Sequence, residues 1–352
     1  MTVIEIDTRT APIFGRRLLD YAASVAPSMP RQVFHMPHVA LGVASDSDGL
    51  LDLCRRALVD SEVYATDANP LDVVVIDRHR HPGMPQAHWG GAVAAPAAVF
   101  RDGLAGSGLE AAYDMDTALW HFAEPGAGRG VQSMMAPGQF PPWEASFPLR
   151  NFIHWALQST GRRLVHAGTL GVGGKGVLII GPGGSGKSGT TLAGIMAGLQ
   201  SVGDDYIAMS LDVGGARAFP LMKLMKQDEK GLRRVGIDIA ATVTGAPNWQ
   251  NKYELNFETL GRGRRADSLE LVGILLPRIA GVERSSFEPS SGRAAMMALA
   301  PSNLQQLPGG WREGLAFTAE VARRLPAYTM NLSSDPTEIA DAVAGFIAGR
   351  RQ

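Results

Sequence analysis

Residues 181–188 read Gly-Pro-Gly-Gly-Ser-Gly-Lys-Ser, a full match to the pattern G-x-x-x-x-G-K-[ST]. Few folds can carry it. The loop has to join the end of a buried strand to the start of a helix, so that the glycine backbone and the helix terminus converge on one point. The flanking sequence supplies both partners. Gly176-Val-Leu-Ile-Ile180 is a short apolar run that reads as a buried strand. The segment Gly189–Leu199 carries apolar residues at 192, 195, 196 and 199, a helical spacing. This context predicts a nucleoside triphosphate site.

The physics of such a loop assigns its residues. Gly181, Gly183, Gly184 and Gly186 can adopt backbone angles closed to other residues and turn N–H groups toward phosphate oxygens. A helix starting near Lys187 adds its positive end to the same oxygens. Lys187 is expected to reach the β- and γ-phosphates and the Ser188 hydroxyl to ligate Mg²⁺. Ser185 and Gly189 complete the expected nucleotide-binding set.

The chain has 352 residues, enough for one large or two ordinary domains. A formal net charge of −1 gives no support to a nucleic-acid binder or an electrostatically held membrane protein. The single cysteine, Cys54, excludes an internal disulfide and a cysteine-based zinc site. The opening Met-Thr-Val-Ile-Glu-Ile-Asp does not read as a signal peptide, and no apolar run reaches membrane-spanning length. A cytoplasmic protein with access to ATP is expected. His79, His81 and His88 lie in a Pro/Gly-containing stretch without matching acidic or sulfur ligands, and they read as surface loop.

Along the chain, Asp72–Asp77 reads as a buried strand, Gly49–Leu58 as a helix with Leu50, Leu51, Cys54 and Leu58 on one face, and Ala111–Phe122 as a strand or hairpin. Val73–Asp77 has the apolar-run-plus-acid form of a Walker B element but precedes the loop, so it is read as structural. Residues 124–143 are rich in Gly and Pro and are expected to be a linker or long loop. A helix should then start at Pro148 and end at Gly161. Leu164–Leu170 reads as one strand, joined by the turn Gly171–Gly176 to the strand that enters the phosphate loop; such a pair is an antiparallel hairpin. The last helix is capped by Asp335 and starts at Pro336. Glu338 is expected to complete a capping box, with Ile339, Val343, Phe346 and Ile347 as the buried stripe.

An acidic pair, Asp204-Asp205, opens the apolar-alternating stretch Tyr206–Leu211, one helix beyond the loop. Carboxylates at that strand end can meet Mg²⁺ or an acceptor hydroxyl. Neighbouring residues of a strand face opposite sides. Asp204 is therefore assigned as general base and Asp205 as metal partner, or the two exchanged.

Taken together, His166, Gly176–Ser188 and Gly203-Asp-Asp-Tyr206 resemble the HPr serine kinase family, whose catalytic core is shared with phosphoenolpyruvate carboxykinases and which includes kinases of lasso-peptide precursors. The resemblance spans roughly 148–211. It implies an α/β fold with a P-loop kinase core, a mixed sheet and an antiparallel hairpin entering the loop. That core would occupy 147–352, preceded by an α+β domain over 1–146 that is open to substrate recognition. It also implies ATP and Mg²⁺ as cofactors, the Asp204/Asp205 pair at phosphoryl transfer and His166 near the active site. From its strand alone His166 reads equally as a hydrogen-bonded core histidine. The resemblance further implies a serine of a protein or peptide, a peptide precursor among them, as acceptor, and it admits a homo-oligomer. Two departures stand out: Gly189 occupies the place where the family usually has a glutamate, and Leu260-Gly-Arg-Gly-Arg264 is a poor match to its downstream Gly-rich signature. A small-metabolite kinase and a nucleotide-dependent switch or ATPase are the competing expectations. Lys223, Lys226, Lys252 and Arg278 are candidates for extra phosphate contacts but read mainly as solvated charges.

Overall fold

In a computed structural model, the protein is described over residues 10–65, 69–86, 104–114, 119–134, 142–243, 245–260, 263–305 and 307–350. The amino-terminal segment 1–9, His88, residues 135–141 and Arg262 therefore lie outside the described residues. The chain forms two compact units. Residues 1–160 with 307–310 make the first, and 161–306 with 311–352 the second. Among the described residues no helix is long and apolar enough to cross a membrane.

The first unit holds β1 (Arg31–Met36), β2 (Val39–Ser45), β3 (Leu71–Asp77), β4 (Glu110–Asp114), β5 (Leu119–Glu124) and β6 (Arg129–Met134) in one mixed sheet of order β1-β2-β3-β6-β5-β4. β3 runs parallel to β2 and β6, and the other pairs are antiparallel. Helix α1 (Ala11–Val25) covers one face through Phe14, Leu18, Leu19 and Ala22 against Ile76, Trp120, Phe122 and Val131. Helix α2 (Asp48–Ala57) buries Leu50, Leu51 and Cys54, as its spacing predicts. The Gly/Pro-rich stretch expected as a linker instead contains β6, an inner strand of the sheet. Its apolar and polar residues do not alternate, because Gln132 and Ser133 are both buried, and Gly130 leaves room for the Phe152 ring. Period-two reading cannot find such a strand.

Helix α3 (Pro142–Ser146) precedes α4 (Arg150–Ser159). The helix expected from Pro148 begins two positions later. Leu149 is left-handed, φ 57°, and donates its N–H to the buried Glu144 carboxylate at 3.1 Å, which fixes a turn there. Phe152 and Trp155 of α4 are fully buried in the first unit, so this unit includes a helix that the sequence assigns to the following domain.

The second unit is built on a mixed sheet. β7 (Arg163–His166), β8 (Gly168–Val172), β9 (Lys175–Ile179), β10 (Gln200–Ser201), β11 (Tyr206–Asp212), β12 (Gly215–Phe219), β15 (Arg264–Arg265) and β16 (Leu269–Val282) follow the order β15-β10-β8-β9-β16-β12-β11-β7. β13 (Leu224–Asp228) and β14 (Lys252–Asn256) form a separate antiparallel ribbon. β17 (Ser286–Ser290) extends the large sheet through β18 (Ala327–Ser333), which lies parallel to β16. The antiparallel β8–β9 hairpin is as expected, turned by Gly173 and Gly174 at φ 59° and 81°. The single strand expected over Leu164–Leu170 is two strands. The chain breaks at Ala167, so that β7 pairs with β11 while β8 pairs with β9. The cause is a second segment alongside: Ala167 N donates to Asp205 O and Thr169 N to Gly203 O.

Helix α5 (Lys187–Met196) follows the phosphate loop, and α6 (Glu229–Arg234) follows β13. α7 (Ile239–Thr242), α8 (Gly292–Gln305), α9 (Trp311–Arg324) and α10 (Pro336–Ala348) complete the unit. α10 is capped by Asp335 and buries Ile339, Val343 and Ile347 in a core shared with Leu192 and Ile195 of α5. Glu338 does not close a capping box. Its carboxylate accepts from Ser285 N, Ser285 Oγ and Ser333 Oγ.

Candidate active site

The loop leaves β9 after Ile180 N donates to Leu275 O at 3.0 Å, which ties it to the neighbouring parallel strand. Gly184 and Gly186 sit at φ 79° and 106°, angles that L side chains rarely adopt. Gly183 and Gly184 face open space, where a Cβ would meet nothing within 4 Å. α5 starts at Lys187, as its spacing predicts, and Thr190 N closes the first turn on Gly186 O. Lys187 Nζ folds back onto Gly181 O at 2.6 Å and Pro182 O at 3.4 Å. Burial lowers its pKa, opposed by Asp204 and Asp205 and reinforced by Lys252.

The acid pair is held by a compact polar bend. Thr169 Oγ1 accepts from Val202 N at 3.0 Å, and Ser201 Oγ accepts from Gly203 N at 3.1 Å. With the Ala167 and Thr169 amides on Asp205 O and Gly203 O, this fixes the backbone on both sides of Asp204. Gly168 has no room for a side chain: a Cβ there would overlap Thr191 Oγ1 and stand 3.3 Å from Asp204 Oδ1.

The two carboxylates face different surroundings, and because they lie in the bend before β11 it is the bend, not the strand alternation expected from the sequence, that separates them. Asp204 is 4% exposed and faces the hydroxyls of Ser188 and Thr191. Its Oδ1 has no hydrogen-bond partner among the described residues. Burial and then the adjacent Asp205 charge push its pKa up, against the Ser188 and Thr191 hydroxyls and Lys187. Asp205 Oδ1 lies 2.9 Å from His166 Nε2, and Oδ2 lies 2.6 Å from Lys226 Nζ. Burial pushes Asp205 up as well, but Lys226 and His166 outweigh it and hold its carboxyl well below the usual carboxylate range. His166 is stacked on Tyr206, ring centroids 5.0 Å apart.

The structure thus brings Lys187, Ser188, Asp204, Asp205 and His166 into one cluster. Sequence reasoning named Lys226 as a candidate phosphate contact but favoured a surface charge, because its partner Asp205 is distant in sequence. Arg278 is not in this cluster, and its Nε donates to Asn331. Asp77 lies in the first unit, where Oδ1 accepts from His79 N, consistent with a structural role. Among the described residues no group of three or more His, Cys, Asp or Glu could hold a metal ion. A Mg²⁺ ion at Ser188 would therefore need phosphate oxygens as ligands, which is how Mg²⁺ is usually held beside nucleotides. The unpartnered Asp204 oxygen next to Ser188 and the open glycine cradle fit a Mg–nucleotide.

No family model and no curated protein matches the chain. Among solved structures, the Hpr(Ser) kinase/phosphatase from Coxiella burnetii aligns with a TM-score of 0.30 and 15% identity, over 54% of this chain and 99% of that one.

Proposed function

We propose that this protein binds a nucleoside triphosphate with Mg²⁺ and transfers the terminal phosphoryl group to a hydroxyl, with a serine of a protein or peptide as the favoured acceptor. The observation that carries this reading is the convergence of Lys187 and Ser188 with two carboxylates whose surroundings push their pKa values apart. Bound Mg–ATP would supply the phosphoryl group, with the metal spreading its developing charge.

The chain's own groups then divide the work. Loop amides and Lys187, released from Gly181 O, hold the phosphate oxygens, and Ser188 takes the metal. Asp204 retains the base role: its raised pKa and unpartnered oxygen suit it to accept the hydroxyl proton. As that proton moves to Asp204, the acceptor O–P bond forms, the bond to the bridging oxygen breaks, and ADP leaves. Asp205 has both oxygens committed to His166 and Lys226, so we place it as their anchor instead of as a metal ligand. Lys226 adds positive charge beside the transferring group.

The test is γ-labelled ATP with Mg²⁺, the full chain and a cell extract or serine peptides, with Lys187→Ala as control. Label on serine with the wild type alone supports the reading. Label in a small metabolite replaces the acceptor class. Free phosphate released equally with and without acceptor makes the protein an ATPase or switch.

A further inference from the structure

We propose that Arg234 is a further cationic contact of the bound polyphosphate, which deepens the nucleotide-binding reading and rests on it. Arg234 ends α6, whose other terminal arginine, Arg233, is spent on Glu229 through bonds of 2.9 and 2.6 Å. The exposed Arg234 side chain makes no hydrogen bond or ion pair with another described residue. Its guanidinium lies instead over the first turn of α5. A Cβ built on Gly189 would stand 2.8 Å from Arg234 Nη2, with Gln227 Nε2 next at 3.7 Å.

The turn it covers is electropositive along its backbone, and the carboxylate beside it, Asp204, is engaged by Ser188 and Thr191. The N-terminal turn of a helix carries partial positive charge, and here it has no acidic residue to offset it. Lys187 occupies the same turn, and Lys252 is close enough to lower its pKa. Asp204 and Asp205 offset part of this positive charge, and a further anion arriving between Lys187 and the guanidinium would be held by both. The chemistry that satisfies amides, ammonium and guanidinium together is a polyphosphate, for which the planar fork of arginine is well suited. The absence of a side chain at 189 is part of the same arrangement: any larger residue would displace the guanidinium from the turn that Ser188 also occupies.

The experiment is calorimetric titration of Mg–ATP into the full-length wild type, Arg234→Ala, Arg234→Lys, Gly189→Ala and Arg233→Ala, with Lys187→Ala as reference. Arg234→Ala is expected to weaken Mg–ATP by ~10-fold. Arg234→Lys should recover part of the loss, Gly189→Ala should reproduce it, and Arg233→Ala should bind as wild type. Without nucleotide, Arg234→Ala should melt no lower than wild type, which separates a ligand contact from a structural one. Equal affinity in wild type and Arg234→Ala, with Lys187→Ala weakened, overturns this inference and leaves the nucleotide site standing. A wild type that takes no nucleotide overturns both.

Discussion

Both units bury titratable groups, and they treat them in opposite ways. In the first unit the deeply buried groups shift toward the neutral form, while Arg129, nearer the surface, is held charged by Asp20 and Glu124. Burial and then Arg150 hold His121 down to about 3, burial pushes Glu144 up, and burial sends the Cys54 thiol up to about 12. In the second, two adjacent carboxylates are driven apart: Asp204 upward, Asp205 downward. Desolvation is the leading cause throughout the first pattern. The second needs specific partners, supplied by Lys226 and His166 from separate strands. An interior that neutralises its charges builds a core, whereas one that splits a matched pair holds a proton acceptor beside a fixed anion.

The sharpest way to break this contrast is Asp204→Asn. Phosphoryl transfer should fall by ~10²–10⁴-fold, while the melting temperature holds or rises because a disfavoured buried charge is gone. A variant that loses activity and melts early would make Asp204 an ordinary structural acid. In the wild type, the acid limb of kcat/KM should stand above the ordinary carboxylate value of 3.8.

Lys226→Ala comes next. It strands Asp205 with His166 alone, and urea unfolding should show a loss of about 3 kcal/mol, the lower end for a broken buried pair because both groups retain some exposure. Adding Asp205→Asn should restore part of it; no restoration would mean that the pair is not coupled.

Gly168→Ala is expected to cost ~2 kcal/mol by overpacking and to reduce turnover by moving Asp204. Unchanged stability and kinetics would show that the Thr191–Asp204 contact yields freely.

The smallest effect, taken per pH unit, is a pH slope in the first unit. His121 has an ordinary value of 6.5 and a folded value of about 3, so the unfolded chain takes the proton first. Stability is full above about 6.5 and drains by ~1.4 kcal/mol per pH unit toward 3. His121→Phe should flatten that limb in unfolding measured by tryptophan fluorescence.

The parts of this arrangement that were legible in the sequence are local. Gly181–Ser188 and the Gly173-Gly174 turn each carry their geometry within a few residues, through glycine angles, whereas the Asp204-Asp205 pair is held from a distance by Ala167 and Thr169. What escaped depends on distant partners. β6 hides because Gln132 and Ser133 are buried among strands that arrive from elsewhere. The break at Ala167 is imposed by Gly203–Asp205, and nothing within Leu164–Leu170 announces it. Lys226 looks like a surface charge until Asp205 is beside it.

The break at Ala167 also bears on how the site is assembled. The segment from His166 to Thr169 precedes the phosphate loop, and the bend at Gly203–Asp205 follows its helix, so the two backbone hydrogen bonds between them close a chain loop around the whole β9–α5 element. Loop closure of that kind is lost all at once when either end detaches. Folding should therefore deliver the phosphate cradle and its acids together. A partly opened chain would have neither, and so would not hold nucleotide in a cradle that lacks the groups needed to use it.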